Sequence, residues 1–228
     1  MKSWSGLLSA YTFSEDTHSI DRSQSARPVY ARSRDGGETW VLEDPGAGSP
    51  APTASTLPDA GLDFTHPDLA LRVRSNSWGF SLDRGRTWSK PIEFPFKEGK
   101  QTARTDYQVL GPNTCLFFLS EEKADVKCSM ADRAFCALTQ DGGKTFEFVA
   151  WLTADTPRSV MPSTVRLPDG TYVSALRRRE DTQLPDRLPT TQNWIEAVAS
   201  RDGGKGGHFL SIVASTERAP RAQGPDKE

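Results

Sequence analysis

The sequence predicts an all-β fold, a β-propeller built from about four repeated units of antiparallel strands. Three observations predict it: one turn pattern occurs four times, strand-like runs alternate with turn residues between the copies, and no long amphipathic helix interrupts them. The copies are roughly 50–60 residues apart, and a nearly fixed period is typical of stacked supersecondary units. Four short antiparallel strands in such a period are typical of a propeller blade.

The repeated turn has the pattern Ser/Thr-x-Asp-x-Gly-x-Thr-Trp/Phe. Its copies occupy residues 33–40, 81–88, 139–146 and, in part, 200–205. The Asp accepts backbone N–H bonds, the Gly two residues later supplies a positive φ, and the Thr hydroxyl closes the loop. The aromatic residue then holds the start of the next strand in the core. We therefore expect the four Asp residues to be structural rather than catalytic: Asp35, Asp83, Asp141 and Asp202.

The third unit has the clearest strand pattern. Its four predicted strands lie at 104–110, 115–119, 133–138 and 146–152. The fourth unit repeats this order, with a turn at Pro168–Gly170 and a charged loop from 177 to 191. Its predicted strands lie at 163–167, 171–176, 194–199 and 208–214.

The first two units are less regular. Residues 28–32 read as the third strand of the first unit, and the stretch 46–58, rich in Pro, Ser and Ala, reads as a surface loop. Residues 68–74 and 77–81 predict two strands of the second unit. We expect the propeller to cover residues 1–214 and the polar segment 215–228 to be disordered.

Composition excludes several classes of function. The chain has 228 residues, 25% of them charged, and a formal net charge of −2, so it lacks the basic surface that nucleic acid or an anionic membrane requires. No apolar run approaches the ~20 residues of a membrane span. The N-terminus is a poor secretion signal, which predicts a cytoplasmic protein, or a secreted or periplasmic one if the true start lies upstream.

The three cysteines, Cys115, Cys128 and Cys136, have no metal-binding spacing. Their odd number also argues against a disulfide scaffold, and Cys115 and Cys136 fall within apolar strand patterns. We expect structural thiols, with neither a metal nor a cofactor.

Propeller topology indicates where a functional site would lie. The repeated turns share one face of the disc, and the inner-strand starts and the loops between second and third strands open on the other, around the funnel. The candidates at those positions are His66, Asp68, Arg104, Asp106, residues 177–180 and residues 193–196. The alternatives are a loop-ordering role for His66, a solvated charged loop at 177–181 and a core position for Trp194.

The repeated turn resembles the Asp-box, or BNR repeat, of the sialidase (neuraminidase) superfamily. The chain is similar to bacterial sialidase-family proteins over about residues 27–205, most closely at 161–170 and at Leu176-Arg177. The resemblance implies a six-bladed propeller and an exo-acting glycoside hydrolase that takes anionic, sialic-acid-type sugars. In that family three arginines bind the sugar carboxylate, for which the planar guanidinium is suited.

The resemblance assigns roles to particular residues. Arg177 matches a carboxylate-binding arginine, with its neighbour Arg178 as a substitute, and Asp68 and Asp106 are the nearest candidates for the acid/base. The complete set of expected substrate-binding residues is His66, Arg104, Arg177, Arg178, Asn193 and Glu196.

The chain also departs from the family. It has no Arg-Ile-Pro motif near the N-terminus, Met161-Pro162-Ser163 stands where the assisting Glu is expected, and the Tyr nucleophile is unmatched. The alternative function is therefore a non-catalytic propeller that binds glycans or proteins. We also expect the array of blades to be incomplete. The region of Val173, Leu176 and Val198 should then be exposed on the uncovered face of the last blade, through which chains associate.

Overall fold

The computed structural model describes twelve stretches of the chain. They are residues 4–10, 12–14, 19–21, 27–35, 37–43, 56–74, 76–96, 100–101, 106–122, 132–154, 157–182 and 190–215. All regular secondary structure in these residues is β-strand, and every strand pairing assigned between them is antiparallel, as the sequence predicts. No helix long and apolar enough to cross a membrane occurs in these stretches.

The chain forms two compact units, of which the first comprises residues 1–56, 66–71 and 79–90 and the second the remainder. The first unit contains a sheet of order β1-β4-β5 and a separate hairpin, β2-β3. These strands are β1 (Trp4–Ala10), β2 (Thr12–Ser14), β3 (Ser19–Asp21), β4 (Arg27–Ser33) and β5 (Val41–Glu43). The predicted strand at 28–32 is therefore confirmed as β4.

The second sheet has the order β6-β7-β8. Its strands are β6 (Ala70–Arg74), β7 (Ser77–Ser81) and β8 (Ile92–Glu93). The two strands predicted for this region are confirmed as β6 and β7.

The third sheet lies in the second unit and has the order β10-β11-β12-β13, with β9 also pairing with β11. Its strands are β9 (Lys100–Gln101), β10 (Asp106–Val109), β11 (Cys115–Glu122), β12 (Arg133–Thr139) and β13 (Glu147–Trp151). All four predicted strands of this unit are present. The part of the predicted inner strand that includes Arg104 lies outside the described residues.

The fourth sheet, in the same unit, has the order β14-β15-β16-β17. Its strands are β14 (Arg158–Arg166), β15 (Tyr172–Thr182), β16 (Thr190–Ser200) and β17 (His208–Ser215). The charged loop expected from 177 to 191 is wrong in part, because β15 and β16 remain paired from Tyr172–Ser200 to Thr182–Thr190. No Gly or Pro interrupts residues 171–182, so the backbone ladder continues through the charged residues.

A hydrophobic core joins the third and fourth sheets. Its buried members are Leu116, Phe118, Ala134, Cys136, Leu152, Tyr172, Leu176 and Val198. Each large apolar side chain buried here contributes about 1.5–3 kcal/mol. The expectation that Leu176 and Val198 would be exposed is wrong, because their face of the sheet packs against the third sheet. Val165, at 57% exposure, lies elsewhere on the fourth sheet.

A second core, rich in aromatic rings, lies on the third sheet around Phe117. Trp78 and Phe146 pack against Phe117 with ring centroids 5.9 and 5.3 Å away, in edge-to-face geometry. The segment Leu57–Thr65 closes over this region, because Leu62 N donates to Gly142 O at 2.9 Å. A Cβ on Gly142 would lie 2.3 Å from Leu62 N, so this approach requires glycine.

Candidate functional site

The third and fourth sheets have the same polarity. Strand pairing places Thr139 beside Cys115 and Ser200 beside Tyr172, so each repeated turn lies at one end of its sheet. The starts of β12 and β14 are bonded to each other, so the two turns share the end away from these starts, which we call the turn end. The opposite end, which we call the open end, is formed by the starts of β10, β14 and β16 and by the end of β15. Any site away from the repeated turns must use the side chains of this open end.

The repeated turns close on themselves by hydrogen bonds. In the second copy Ser81 Oγ donates to Asp83 Oδ1 at 2.7 Å, Gly85 N donates to Ser81 Oγ at 2.8 Å, and Thr87 Oγ1 donates to Asp83 Oδ2 at 2.6 Å. Trp88 Nε1 completes the loop by donating to Gly85 O at 3.1 Å. The copies at 33–40 and 139–146 repeat the bonds to their Asp carboxylates.

The fourth copy keeps this geometry without its threonine. Ser200 Oγ donates to Asp202 Oδ1 at 2.6 Å, and the amide of Gly206 replaces the Thr amide at 3.1 Å from the same oxygen. The hydroxyl bond of the other copies is missing because residue 206 has no side chain. An aromatic residue could not follow, since a Cβ on Gly207 would lie 2.1 Å from Leu152 O.

The hydrogen bonds in these turns also hold the carboxylates ionised. The Thr39 hydroxyl and amide and the Ser33 hydroxyl lower the pKa of Asp35 far below its usual range. Partial burial raises the pKa of Asp83, but bonds from Ser81 and Thr87 outweigh it and the net shift is downward. Carboxylates stabilised in this way are poor proton donors.

His66 and Asp68 lie beside the second repeated turn. Asp68 O accepts from Arg84 N at 2.9 Å, and Asp68 Oδ1 accepts from Arg84 Nε at 2.5 Å. His66 Nδ1 accepts from the Asp68 amide at 3.2 Å, which orders the loop. Because β6 follows this loop and pairs with β7, Asp68 lies at the turn end of its own sheet. This placement differs from the funnel position that the sequence analysis assigned to it.

Asp106 lies at the open end, at the start of β10, and it ties the third sheet to the fourth. Its Oδ2 accepts from Thr164 N at 2.5 Å and its Oδ1 from Tyr107 N at 2.8 Å. Gln108 Nε2 adds a bond to Thr164 O at 2.8 Å. Both oxygens of Asp106 therefore accept backbone amides, which gives this carboxylate a structural role between inner strands.

A second link between the two sheets was not anticipated from the sequence. Asp132, which is 1% exposed, accepts from Arg158 Nε at 2.9 Å and also from Arg158 NH2. Ser159 Oγ accepts from Ala134 N at 2.9 Å beside it. The signal available in the sequence was only an Asp immediately before the strand 133–138, and a single residue of that kind does not indicate a partner.

The remaining candidates lie on the β15–β16 ladder, on its two faces. On one face Arg177 NH2 donates to Asn193 Oδ1 at 2.9 Å. Arg177 is half-buried, and its other guanidinium donors have no acceptor among the described residues. The fork of this arginine is therefore oriented by Asn193 and retains donors for a further acceptor.

On the other face, Arg178 and Glu196 form a buried ion pair. Arg178 Nε lies 3.3 Å from Glu196 Oε2, and their side chains are 5% and 13% exposed. Trp194 Nε1 donates to the same oxygen at 3.2 Å. Burial lowers the pKa of Arg178, and the charge of Glu196 opposes that shift. The second oxygen, Oε1, accepts no hydrogen bond within the described residues.

Met161, within β14, has a strained backbone. Its φ is +58°, although it is not glycine and although Pro162 follows it. The strand pairs Val160 with Arg177 and then Ser163 with Ala175, so Met161 and Pro162 stand opposite the single residue Leu176, as a β-bulge. Such a backbone costs about 1–3 kcal/mol and persists only where the surroundings hold it.

The structure thus brings Arg177, Arg178, Asn193 and Glu196 together on one ladder. Asp106 lies at the open end of the neighbouring sheet, and His66 and Asp68 lie at a turn end. Arg104 falls outside the described residues. No group of three His, Cys, Asp or Glu side chains that could hold a metal ion occurs in the described part of the chain.

Comparison with known proteins gives likeness in structure only. No protein-family model and no curated protein matches the chain in sequence. A variant of the α-L-arabinofuranosidase Arb93A from Fusarium graminearum, bound to an iminosugar inhibitor, aligns with TM-score 0.50 and 16% identity, over 82% of this chain and 60% of that one. The chain therefore spans about 60% of the length of that enzyme.

Two further structures align with lower scores. The α-L-arabinanase of Penicillium chrysogenum, complexed with arabinobiose, has TM-score 0.47 and 16% identity, over 80% of this chain and 58% of that one. A protein of unknown function from Dyadobacter fermentans has TM-score 0.47 and 20% identity, over 83% and 58%. Of these three structures, we use only Arb93A to infer the β-propeller fold. None of the three identifies the sialidase superfamily in particular.

Proposed function

We propose that this protein binds a carbohydrate at the open end of its fourth sheet, with the architecture of a glycoside hydrolase propeller. The observation that carries the proposal is the pair of Arg177 and Asn193, in which an oriented, half-buried guanidinium keeps unused donors. Sugar hydroxyl groups accept such donors, and planar amide and guanidinium groups are suited to bidentate contacts.

Supporting groups lie on the opposite face of the ladder. The buried pair of Arg178 and Glu196, with Trp194 bonded to the same carboxylate oxygen, fixes the side chains of β15 and β16 at this end. A site built on paired strands holds its geometry more closely than one built on loops. Arg178 is therefore proposed as a positioning residue, and Arg177 as the residue that contacts the sugar.

Two classes of sugar are considered as the ligand, a neutral one and an anionic one. The Fusarium neighbour is an arabinofuranosidase, which favours a neutral arabinose-type ligand. The sequence resemblance favours an anionic, sialic-acid-type ligand held by Arg177. We favour the neutral sugar, because the acceptor that orients Arg177 is the neutral amide oxygen of Asn193. In addition, the sequence matches only one arginine of the family's carboxylate clamp.

Exo-acting hydrolysis is the second candidate function. Glycosidases generally need two carboxyl groups on either side of the scissile bond. Glu196 is paired with Arg178 on the face opposite Arg177, so we do not propose it as reactive toward a sugar held by Arg177. Asp106 and Asp68 already accept hydrogen bonds from the protein, and neither is proposed here as the acid/base.

Calorimetric titration with arabinobiose and with sialyllactose tests the proposal. We expect arabinobiose to bind, Arg177→Ala to weaken binding at least tenfold, and Arg166→Ala to leave it unchanged, because Arg166 lies at the turn end over Tyr172. Preferential binding of sialyllactose would favour the anionic ligand. Equal binding by Arg177→Ala and wild type would refute this site.

Hydrolysis is tested by release of arabinose from arabinobiose. Turnover by the wild type that Arg177→Ala abolishes would support an enzyme. Binding without turnover by the wild type would support the non-catalytic propeller.

A further inference from the structure

Two non-glycine residues among the described positions adopt a positive φ, and only one is explained by a turn. Arg84, at +62°, follows Asp83 in the second repeated turn, where Gly142 and Gly203 stand in other copies at +72° and +76°. Its conformation is held by bonds to Asp68 and by Arg32 NH1, which donates to Arg84 O at 2.9 Å. Met161, at +58°, lies in the middle of a strand.

The strand pairing and the exposure of Met161 point to a function for its strained backbone. The residue lies in the half of β14 nearer the open end, next to Val160, which pairs directly with Arg177. Val160 is 4% exposed and Pro162 is also buried, whereas Met161 is 37% exposed. The bulge thus leaves one apolar side chain accessible between two buried neighbours, one residue along the strand from the Val160–Arg177 pair. A regular strand at this point would need neither the bulge nor the positive φ.

From this geometry we infer that Met161 is a specificity-determining residue that contacts the apolar C–H face of a sugar ring. This inference rests on the proposed function and narrows it to the class of ligand. Strained backbone is concentrated at active and binding sites, and an unbranched thioether adapts to the uneven face of a ring. The ligand class is a neutral sugar whose hydroxyl groups reach Arg177 and Asn193 while its C–H face covers Met161.

Three substitutions separate this role from a structural one. Met161→Gly removes both the strain and the side chain, and Met161→Asn tolerates a positive φ but replaces the apolar group with an amide. Met161→Leu keeps an apolar side chain of similar volume. Val165→Asn is the control, because Val165 is an apolar residue on the same strand that is even more exposed than Met161, at 57% against 37%, and lies away from the open end.

The test measures the dissociation constant for arabinobiose and the melting temperature of each variant of the full chain. We expect Met161→Gly to raise the melting temperature by about 2–4 °C and to weaken binding roughly tenfold. Met161→Asn should weaken binding to the same extent, and Met161→Leu and Val165→Asn should remain within about threefold of wild type. A purely structural Met161 would change the melting temperature and leave binding unaltered.

The outcomes distinguish failure of the inference about Met161 from failure of the proposed function. If the wild type binds arabinobiose and Met161→Gly binds it as tightly, the inference about Met161 is overturned and the proposed site stands. If the wild type binds neither arabinobiose nor sialyllactose, the proposed function fails and the inference fails with it. If it binds sialyllactose alone and Met161→Gly does so equally, the apolar contact is again excluded.

Discussion

Gly143 in the third repeated turn provides the sharpest test of the packing described above. Its φ is +90°, and a Cβ built on it would lie 2.6 Å from two carbons of the Trp78 ring. Trp78 is 1% exposed and is enclosed by Phe117 and Phe146, so the ring has no open space to enter. Gly143→Ala therefore combines an unfavourable backbone with an overpacked core.

The magnitude follows from these two terms. A positive φ costs an alanine about 1–2 kcal/mol, and overpacking a dense core costs about 1–3 kcal/mol. We expect Gly143→Ala to lower the free energy of unfolding by about 2–5 kcal/mol, a large part of a typical net stability of ~5–15 kcal/mol. Urea denaturation followed by circular dichroism and by tryptophan fluorescence measures it.

The fourth repeated turn supplies a matched control. Gly203 has a φ of +76°, and a Cβ there would meet no atom within 4 Å. Gly203→Ala should therefore cost only the backbone term, about 1–2 kcal/mol. Adding Trp78→Phe to Gly143→Ala should recover part of the loss, which a double-mutant cycle detects. Equal costs at Gly143 and Gly203, with no coupling to Trp78, would refute the steric explanation.

Three further predictions follow from the turns and the buried thiols. Gly206→Thr should raise the free energy of unfolding by about 0.5–1 kcal/mol, because its Cβ would lie 3.3 Å from Asp202 Oδ2, where the other turns place a Thr hydroxyl. Gly207→Ala should lower the free energy of unfolding, because its Cβ would collide with Leu152 O. Thermal melts compare the two variants. The lowered pKa values of Asp83 and Asp141 mean that their contribution to stability is present above the unfolded pKa of about 3.9 and is lost as pH falls through the folded values. Asp83→Asn with Asp141→Asn should thus flatten the fall in stability below about pH 4, and an unchanged slope in acid denaturation would contradict this. Burial raises the pKa of Cys136 to about 12 and that of Cys115 still further, so both should resist alkylation at pH 8 in the native protein, as peptide mass mapping with and without urea would show.

The repeated turns were predictable because their interactions are local. Ser81, Asp83, Gly85 and Thr87 bond to one another within seven residues, so the pattern of residue types specifies the loop without reference to the rest of the chain. The strands between the turns were predictable for a similar reason, since apolar runs and turn residues mark them locally.

The wrong or missing expectations concern contacts between residues that are distant in sequence. Both faces of β15 carry apolar residues, Val173 and Ala175 on one and Tyr172 and Leu176 on the other, so alternation alone does not tell which face packs against the third sheet. Likewise, the residues around Asp68 precede a strand, but only the pairing of β6 with β7 shows that this strand starts at the turn end. The ion pair of Arg178 and Glu196 depends on the register between two strands.

The close approach of Gly61 and Gly142 has a consequence for the order of folding. The loop Leu57–Thr65 is held on the third repeated turn by main-chain bonds and by Lys144 Nζ, which donates to Asp59 O across 85 residues of sequence. Contacts between distant parts of a chain form slowly, because the loop between them loses entropy before the contact is made. The third sheet, whose strands are neighbours in sequence, should therefore assemble first and serve as the surface on which the earlier segment docks. Refolding of Gly61→Ala should then show a normal early phase in which β10–β13 become protected from hydrogen exchange, and a retarded late phase in Leu57–Thr65.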